Sequence, residues 1–308
     1  MSLASLNSEA EDRRMRILAI ALICGAMVCF TGLDTCAKWL GATLPAAQIV
    51  WARYVAAALI ALVASRPLSR PSALRSNSPW LQSLRSALLL GATGANVLAL
   101  RQLQLSETAT ISFLTPIFVA LMAGPLLGER VGAERAIAIA VGFLGVAIAT
   151  RPGTAAFQPI VFIAVAGVLC NAGYVIATRR LAGADAPQTT LAWAQLAGIV
   201  VLTPILPWVW RQPATIEVWL IMAGMGMFAT AGHALLIIAH RFAPAPALTP
   251  FTYTQLVWMI VSGVLVFGDW PPAATLVGAA LVVACGAYLA LRERGSRRPL
   301  VTVVCDRD

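Results

Sequence analysis

Charge is what this sequence has least of. Only 11% of its 308 residues are charged, against about a quarter in a soluble domain, which excludes a water-soluble chain of this length. Its six cysteines, at 24, 29, 36, 170, 285 and 305, form no CxxC pair and no cluster with either of the two histidines. That leaves neither a disulfide framework nor a zinc site, and the cysteines read as small packers within membrane helices. No G-x-x-x-x-G-K-[ST] occurs, so ATP is not the driver within this chain. No HExxH or Ser-His-Asp grouping is present either. Catalytic residues, metal ligands and cofactors are therefore expected to be none.

The formal net charge of +9 suggests nucleic acid at first glance. The basic residues instead occupy short loops between apolar runs, where they act as topology signals, and no nucleic-acid partner is expected. Those runs are each about 20 residues long, the length of one bilayer crossing. They fall at Ile17 to about Leu40, 46–65, 81–104, 106–128, 132–151, 158–178, 188–210, 215–240, 246–268 and 272–292. With the N-terminus cytoplasmic, seventeen Lys and Arg lie on the inner side and four on the outer, with Arg53 left inside a span. Both termini are thus expected in the cytoplasm of a multi-pass protein of a bacterial-type inner membrane. The first run follows Arg13, Arg14 and Arg16 like a signal peptide, but it is too long for one and carries Asp34 and Lys38.

The chain also repeats itself. SETATISFLTPIFVALMAGPLLGER, Ser106 to Arg130, is an apolar helix with Pro116 near its middle and a Gly128-Glu129-Arg130 turn at its end. About 140 residues later ALTPFTYTQLVWMIVSGVLVFGDW, Ala247 to Trp270, ends in Gly268-Asp269-Trp270. Gly128 aligns with Gly268 and Glu129 with Asp269. Earlier in each half Cys29 matches Cys170, Lys38 matches Arg179 and Trp51 matches Trp193. Five spans per half give the second half the opposite orientation, so the repeat is inverted. The expected fold is an all-α integral membrane protein of ten transmembrane helices in two inverted five-helix repeats. Its parts are a cytoplasmic tail at 1–16, a first repeat at 17–151, a second at 158–292 and a cytoplasmic tail at 293–308. The seam, Arg151 to Phe157, is stopped by Pro and Gly and is too short to hold a domain. Small residues at Gly124 and Gly128, Gly91 and Gly94, Ala194 and Gly198, and Gly278 and Gly286 suit close helix packing.

These residues carry a resemblance. SFLTPIFVALMAGPLLGER (Ser112 to Arg130), FTYTQLVWMIVSGVLVFGDW (Phe251 to Trp270) and FTGLDTCAKWLGATLPAAQIVWARY (Phe30 to Tyr54) look like the EamA-type exporters of the drug/metabolite transporter superfamily. The likeness covers nearly the whole chain; Asp269-Trp270 departs from the Glu-Arg turn of the first half. It implies a central cavity lined by helices 1, 3, 4, 6, 8 and 9, and transport by alternating access. Among subfamilies the aromatic amino-acid exporters come first on overall likeness. Exporters or importers of a vitamin, drug or nucleotide-like metabolite stand as the alternative, and a membrane-embedded enzyme as a distant one. The expected partners are a small-molecule substrate and the lipid bilayer, and a monomer is plausible.

Ionisable and polar groups inside spans are costly and therefore functional suspects. Asp34 and Lys38, four apart, share a face of the first helix, where they either pair with each other or grip a zwitterion. Asp34 or His233 could also carry a coupled proton, since imidazole titrates near neutral pH. Arg53 could snorkel to the outer headgroups, in preference to contacting the ligand. Asn96, Asn171 and Tyr174 lie mid-span. Thr252, Tyr253, Gln255 and Trp258 surround the break expected near Pro250, and Thr110, Ser112 and Thr115 flank Pro116. Interrupted helices at matching places in two halves point to a transporter's binding site. Trp51 and Trp258 could stack on a ligand ring. The candidate substrate site is thus Asp34, Lys38, Trp51, Asn96, Asn171, Tyr174, His233, Thr252, Tyr253, Gln255 and Trp258.

Overall fold

The computed structural model describes residues 3–65, 75–127, 133–181, 184–185, 187–243 and 245–296. All regular structure among them is helical. The helices are α1 (Leu3–Gly41), α2 (Ala46–Ser65), α3 (Pro79–Leu100), α4 (Leu105–Ser112), α5 (Thr115–Leu127), α6 (Ala133–Thr150) and α7 (Ile160–Leu181). They continue with α8 (Pro187–Leu202), α9 (Leu206–Val209), α10 (Ile216–Phe242), α11 (Ala245–Thr252), α12 (Thr254–Ser262), a π-helix (Gly263–Phe267) and α13 (Ala273–Ser296). Six described stretches are long and apolar enough to cross a membrane: 14–41, 79–100, 105–122, 160–181, 216–242 and 250–267. Shorter apolar helices lie at 46–60, 137–150, 192–202 and 273–288. The Gly128-Glu129-Arg130 turn lies outside the described residues.

The proline-bearing stretches are broken where the chain chemistry requires it. Proline has no N–H to give the preceding turn, so Pro116 sits in the first turn of α5, after α4 has ended. The carbonyl left over at Ser112 accepts the Thr115 hydroxyl at 2.8 Å. The second break falls at Tyr253, beyond Pro250, which lies inside α11; there the Thr254 hydroxyl donates to the Phe251 carbonyl at 2.7 Å. The residues at the two breaks, Phe113 (φ −70, ψ −5) and Tyr253 (φ −69, ψ −12), share one backbone conformation. Their rings meet edge to face, with centroids 5.0 Å apart. The two broken helices therefore cross at matching residues.

Helix contacts follow a largely symmetric scheme. α1 packs on α10 and α3 on α7; α2 packs on α10 and α8 on α3; α6 meets α13, α2 meets α8 and α4 meets α12. Exchanging the helices of 17–151 for those of 158–292 maps the first six of these pairs onto one another, whereas α4 with α12 would become α11 with α5. A close approach joins α6 and α13, where Gly145 and Gly278 bring backbone against backbone. Gly198 lies against the Tyr54 ring and Gly286 against the Tyr253 hydroxyl, whereas a Cβ on Gly94 would meet open space.

At the end of the bundle marked by Gly41, one apolar cluster joins α1, α2, α3, α4, α10 and α12 through Leu40, Ile49, Val97, Leu105, Met222 and Met259. Two other clusters extend to the opposite end. Ala19, Ile23, Ala239 and Leu248 tie α1 to α10 and α11, while Val168, Ala172 and Ile176 of α7 belong to a separate cluster with α4, α5 and α6. At that end Asp185 accepts hydrogen bonds from the Ser76 hydroxyl, the Asn77 backbone N–H and Gln82. These donors hold its carboxyl below the usual carboxylate range, the Ser76 bond foremost.

Candidate functional site

Between the two crossing broken helices and α1, α2, α3, α7 and α10 lies a cavity of about 310 Å³. That volume sits at the lower end of small-molecule sites. Just beyond each break a polar residue, Thr115 in one half and Gln255 in the other, lines the wall. Asp34 supplies the one carboxylate among the lining residues and Arg53 the one guanidinium. Neither is left to itself. Asn96 Nδ2 donates to Asp34 Oδ1 at 2.9 Å, and Arg53 Nη1 donates to Thr93 Oγ1 at 3.0 Å. Asn171 Nδ2 donates to Thr115 Oγ1 at 3.2 Å, which joins α7 to the first break. Phe30 and His233 stand edge to face, centroids 5.1 Å apart, and form part of the apolar wall. The cavity thus offers a fixed acid, a fixed base, three amides and aromatic faces, a mixture suited to a polar solute with a planar ring.

Six of the sequence candidates line this space: Asp34, Asn96, Asn171, Tyr174, His233 and Gln255. The other five do not. Lys38 turns away from Asp34, and the intrahelical pair expected from their spacing does not form: Lys38 Nζ donates to Asp269 Oδ2 and to the Leu103 carbonyl, each at 2.8 Å. The reason is that two acceptors beyond the helix hold the ammonium more fully than one carboxylate on its own helix could. Trp51 donates to Thr203 and packs edge-on against Trp210. Trp258 is 40% exposed on the outer surface of the bundle. Thr252 sits at the C-terminal residue of α11 and is not among the lining residues.

Tyr253 is buried behind Phe113, and its hydroxyl has no hydrogen-bond partner among the described residues. A buried hydroxyl without a partner is a cost that its removal relieves. Tyr253→Phe is accordingly expected to melt at the same or a higher temperature and to keep flux within about twofold of the parent. A raised half-saturation concentration in flux measurements would instead mean that the hydroxyl touches the solute.

Three wall or mouth residues stand outside the candidate set. Arg53 lines the cavity instead of reaching for headgroups. Thr93, one turn from Asn96, is an ordinary residue in the sequence and gains meaning only as the Arg53 acceptor. Arg85 reads as a topology charge because it stands near a span end, yet it is 3% exposed. It donates to the Tyr174 hydroxyl at 2.9 Å and the Thr178 hydroxyl at 2.7 Å, with its guanidinium 4.5 Å from the Tyr174 ring centre. Tyr174 is thereby fixed at the cavity wall.

A bundle of apolar helices around a polar cavity, with broken helices crossing at its centre, defines a polytopic membrane transporter. The EamA-like transporter family model matches the chain twice, over residues 17–151 and 158–292. The chain belongs to that family. It is 26% identical over 283 residues to a riboflavin transporter of Brucella anthropi, covering 87% of this chain and 97% of the relative. It is 22% identical over 265 residues to an S-adenosylmethionine uptake transporter of Rickettsia prowazekii, covering 85% and 89%. A crystal structure superposes with a TM-score of 0.60 at 19% identity, covering 91% of this chain and 98% of the other, and so shares the fold. Neither named relative is an aromatic amino-acid exporter.

Proposed function

We propose that this protein carries a vitamin or nucleotide-like metabolite, a planar nitrogen heterocycle bearing hydroxyl groups, across the inner membrane by alternating access. The alternative weighed from the sequence is thereby preferred to aromatic amino-acid export. The observation that carries the reading is the cavity itself: one acid, one base and three amides set among aromatic rings. Amides and a guanidinium match ring carbonyls and nitrogens, the Asp34 carboxylate accepts from hydroxyls, and Phe30 and Phe113 supply apolar faces. The names of the flavin and S-adenosylmethionine carriers support the same class, since each substrate joins a heterocycle to a polyol or ribose.

In this reading residues 17–151 and 158–292 are two inverted five-helix repeats. The largely symmetric contact scheme and the paired breaks at Phe113 and Tyr253 support it. Both termini face the cytoplasm, as the distribution of arginine favours, so the Gly41 end is the outer one. The structure then corresponds to the state closed on the outside. Solute binding shifts the equilibrium between the two closures only as far as the two states differ in affinity.

Flux into proteoliposomes of labelled riboflavin, S-adenosylmethionine, phenylalanine and tryptophan tests the assignment. Saturable riboflavin or S-adenosylmethionine flux, competed by the unlabelled compound and not by tryptophan, is the expected result. Saturable flux of phenylalanine or tryptophan alone would return the protein to amino-acid transport.

A further inference from the structure

The Gly268–Asp269 pair that ends the second proline-bearing stretch is not among the residues lining the cavity. Its geometry is explicit. The π-helix Gly263–Phe267 closes with the Asp269 N–H on the Gly263 carbonyl at 3.0 Å and the Gly268 N–H on the Val264 carbonyl at 3.1 Å. This turn requires a left-handed residue, and Gly268 takes it at φ 69. The turn aims Asp269 back at the bundle, where its Oδ2 accepts from Lys38 Nζ at 2.8 Å. Lys38 is the single lysine in the chain. It also donates to the Leu103 carbonyl at 2.8 Å and lies 5.1 Å from the centre of the Phe267 ring. One ammonium thus ties together α1, the α3–α4 connection and the end of the second broken helix.

The contacts around it run along the same seam. One turn earlier on α1, Thr35 Oγ1 and Ser262 Oγ lie 2.7 Å apart. Arg101 donates to the Gly41 carbonyl at 3.0 Å. Beneath them Leu33, Leu105, Ala109 and Met259 close the apolar cluster over the cavity. The ion pair is only partly shielded, its side chains being 16% and 27% exposed. Such a pair adds modestly to the closed arrangement, and water can replace its partners when the seam parts. A packed hydrophobic bolt in the same place would lack that replacement.

We propose that the Lys38–Asp269 pair is a releasable lock that keeps the Gly41 end of the cavity shut, and that it breaks and re-forms in each transport cycle. The lock joins one half of the chain to the other, so relative movement of the halves cannot open this end while it holds. It rests on the alternating-access reading above and adds the contact that controls one of its two closures. In the sequence the same two charges recur as Arg179 and Glu129, of which Glu129 lies outside the described residues.

The test uses the full chain with its native cysteines replaced and a single reporter, Ala109→Cys, buried under the seam and on the cavity wall. A membrane-impermeant maleimide is added to the outer face of intact cells and the rate of labelling is measured. Labelling is expected to be slow in the parent and at least about tenfold faster in Asp269→Asn and in Lys38→Gln, since each leaves a partly shielded charge without its partner. The exchanged pair Lys38→Asp with Asp269→Lys is expected to label more slowly than either single variant. Rates unchanged in both single variants would overturn the lock, as would an exchange that leaves labelling as fast as in the singles. Having two single variants keeps the test open if one fails to fold. Labelling needs no solute, so a failed riboflavin flux leaves this result standing, and an unchanged labelling rate in a chain that transports leaves the proposed function standing.

Discussion

Asp34→Ala is expected to lower the initial rate of solute flux at least about a hundredfold while the protein still folds, because the loss of a charged hydrogen-bond partner in a desolvated site costs several kcal/mol. The carboxylate sits in the cavity wall with one oxygen held by Asn96, and no other acid lines that wall. Removing it leaves the Asn96 amide without its acceptor and Arg53 as the sole charge, so an electrically balanced cavity becomes a cationic one. Asp34→Asn keeps the shape and the reach to Asn96 but loses the charge. If the charge recognises solute, Asn behaves like Ala in both flux and counterflow. If Asp34 carries a proton, the variant retains exchange of labelled for unlabelled solute and loses only accumulation driven by a pH gradient. Arg53→Ala is the matching experiment on the opposite charge, and it leaves Thr93 with the Tyr54 hydroxyl as its remaining partner. Flux near parental levels in both alanine variants would remove the cavity from the transport path.

The second large effect concerns assembly. Gly278→Val is expected to leave little folded protein. In lipid there is no hydrophobic drive between helices, so contact between small residues must supply the association. Here the Cβ of a substituted residue would press into the Gly145 carbonyl and come within 2.8 Å of both the Ala149 side chain and its backbone N. Backbone cannot swing aside as a side-chain tip can. α6 and α13 would have to separate, at a cost of about 3 kcal/mol or more, counting the strain and the lost contact. Gly94→Ala is the control, since nothing lies within 4 Å of its Cβ. There the gain in helix propensity, up to about 1 kcal/mol, is expected to leave the melting temperature equal or higher. Size-exclusion profiles and thermal melts in detergent read both.

What the sequence made legible was whatever depends on local pattern. Apolar runs marked the helices, Pro116 marked the first break while the second fell at Tyr253, three residues beyond Pro250, and Asp34, Asn96, Asn171 and His233 stood out because a polar group in a span is costly. Those four lie together in one wall although they come from α1, α3, α7 and α10. Pairing was not legible, because it is decided by groups far apart in the chain. Asp34 and Lys38 have ideal spacing for a helical ion pair, yet their partners are 62 and 231 residues away. Tyr253 looked like a ligand contact from its place in a broken helix, but rotation of the helix puts its ring behind Phe113 instead of in the cavity. Arg85 looked like a surface charge because residues near a span end usually are, and only the approach of α7 buries it. The substrate was the least legible of all, since it depends on how acid, base and amides are arranged in space, and the guess of an aromatic amino acid had no such arrangement behind it.

The central claim, that solute binds in the cavity between the crossed helices, is tested most directly by protection. A single cysteine at Ala92, on the cavity wall, is labelled with maleimide in purified protein with and without saturating solute from the flux assay. Binding in the cavity predicts that solute slows labelling in proportion to occupancy, with the same half-saturation as transport, and that a cysteine at the outward-facing Trp258 is unaffected. Equal labelling rates at Ala92 with and without a solute that the protein demonstrably transports would contradict it.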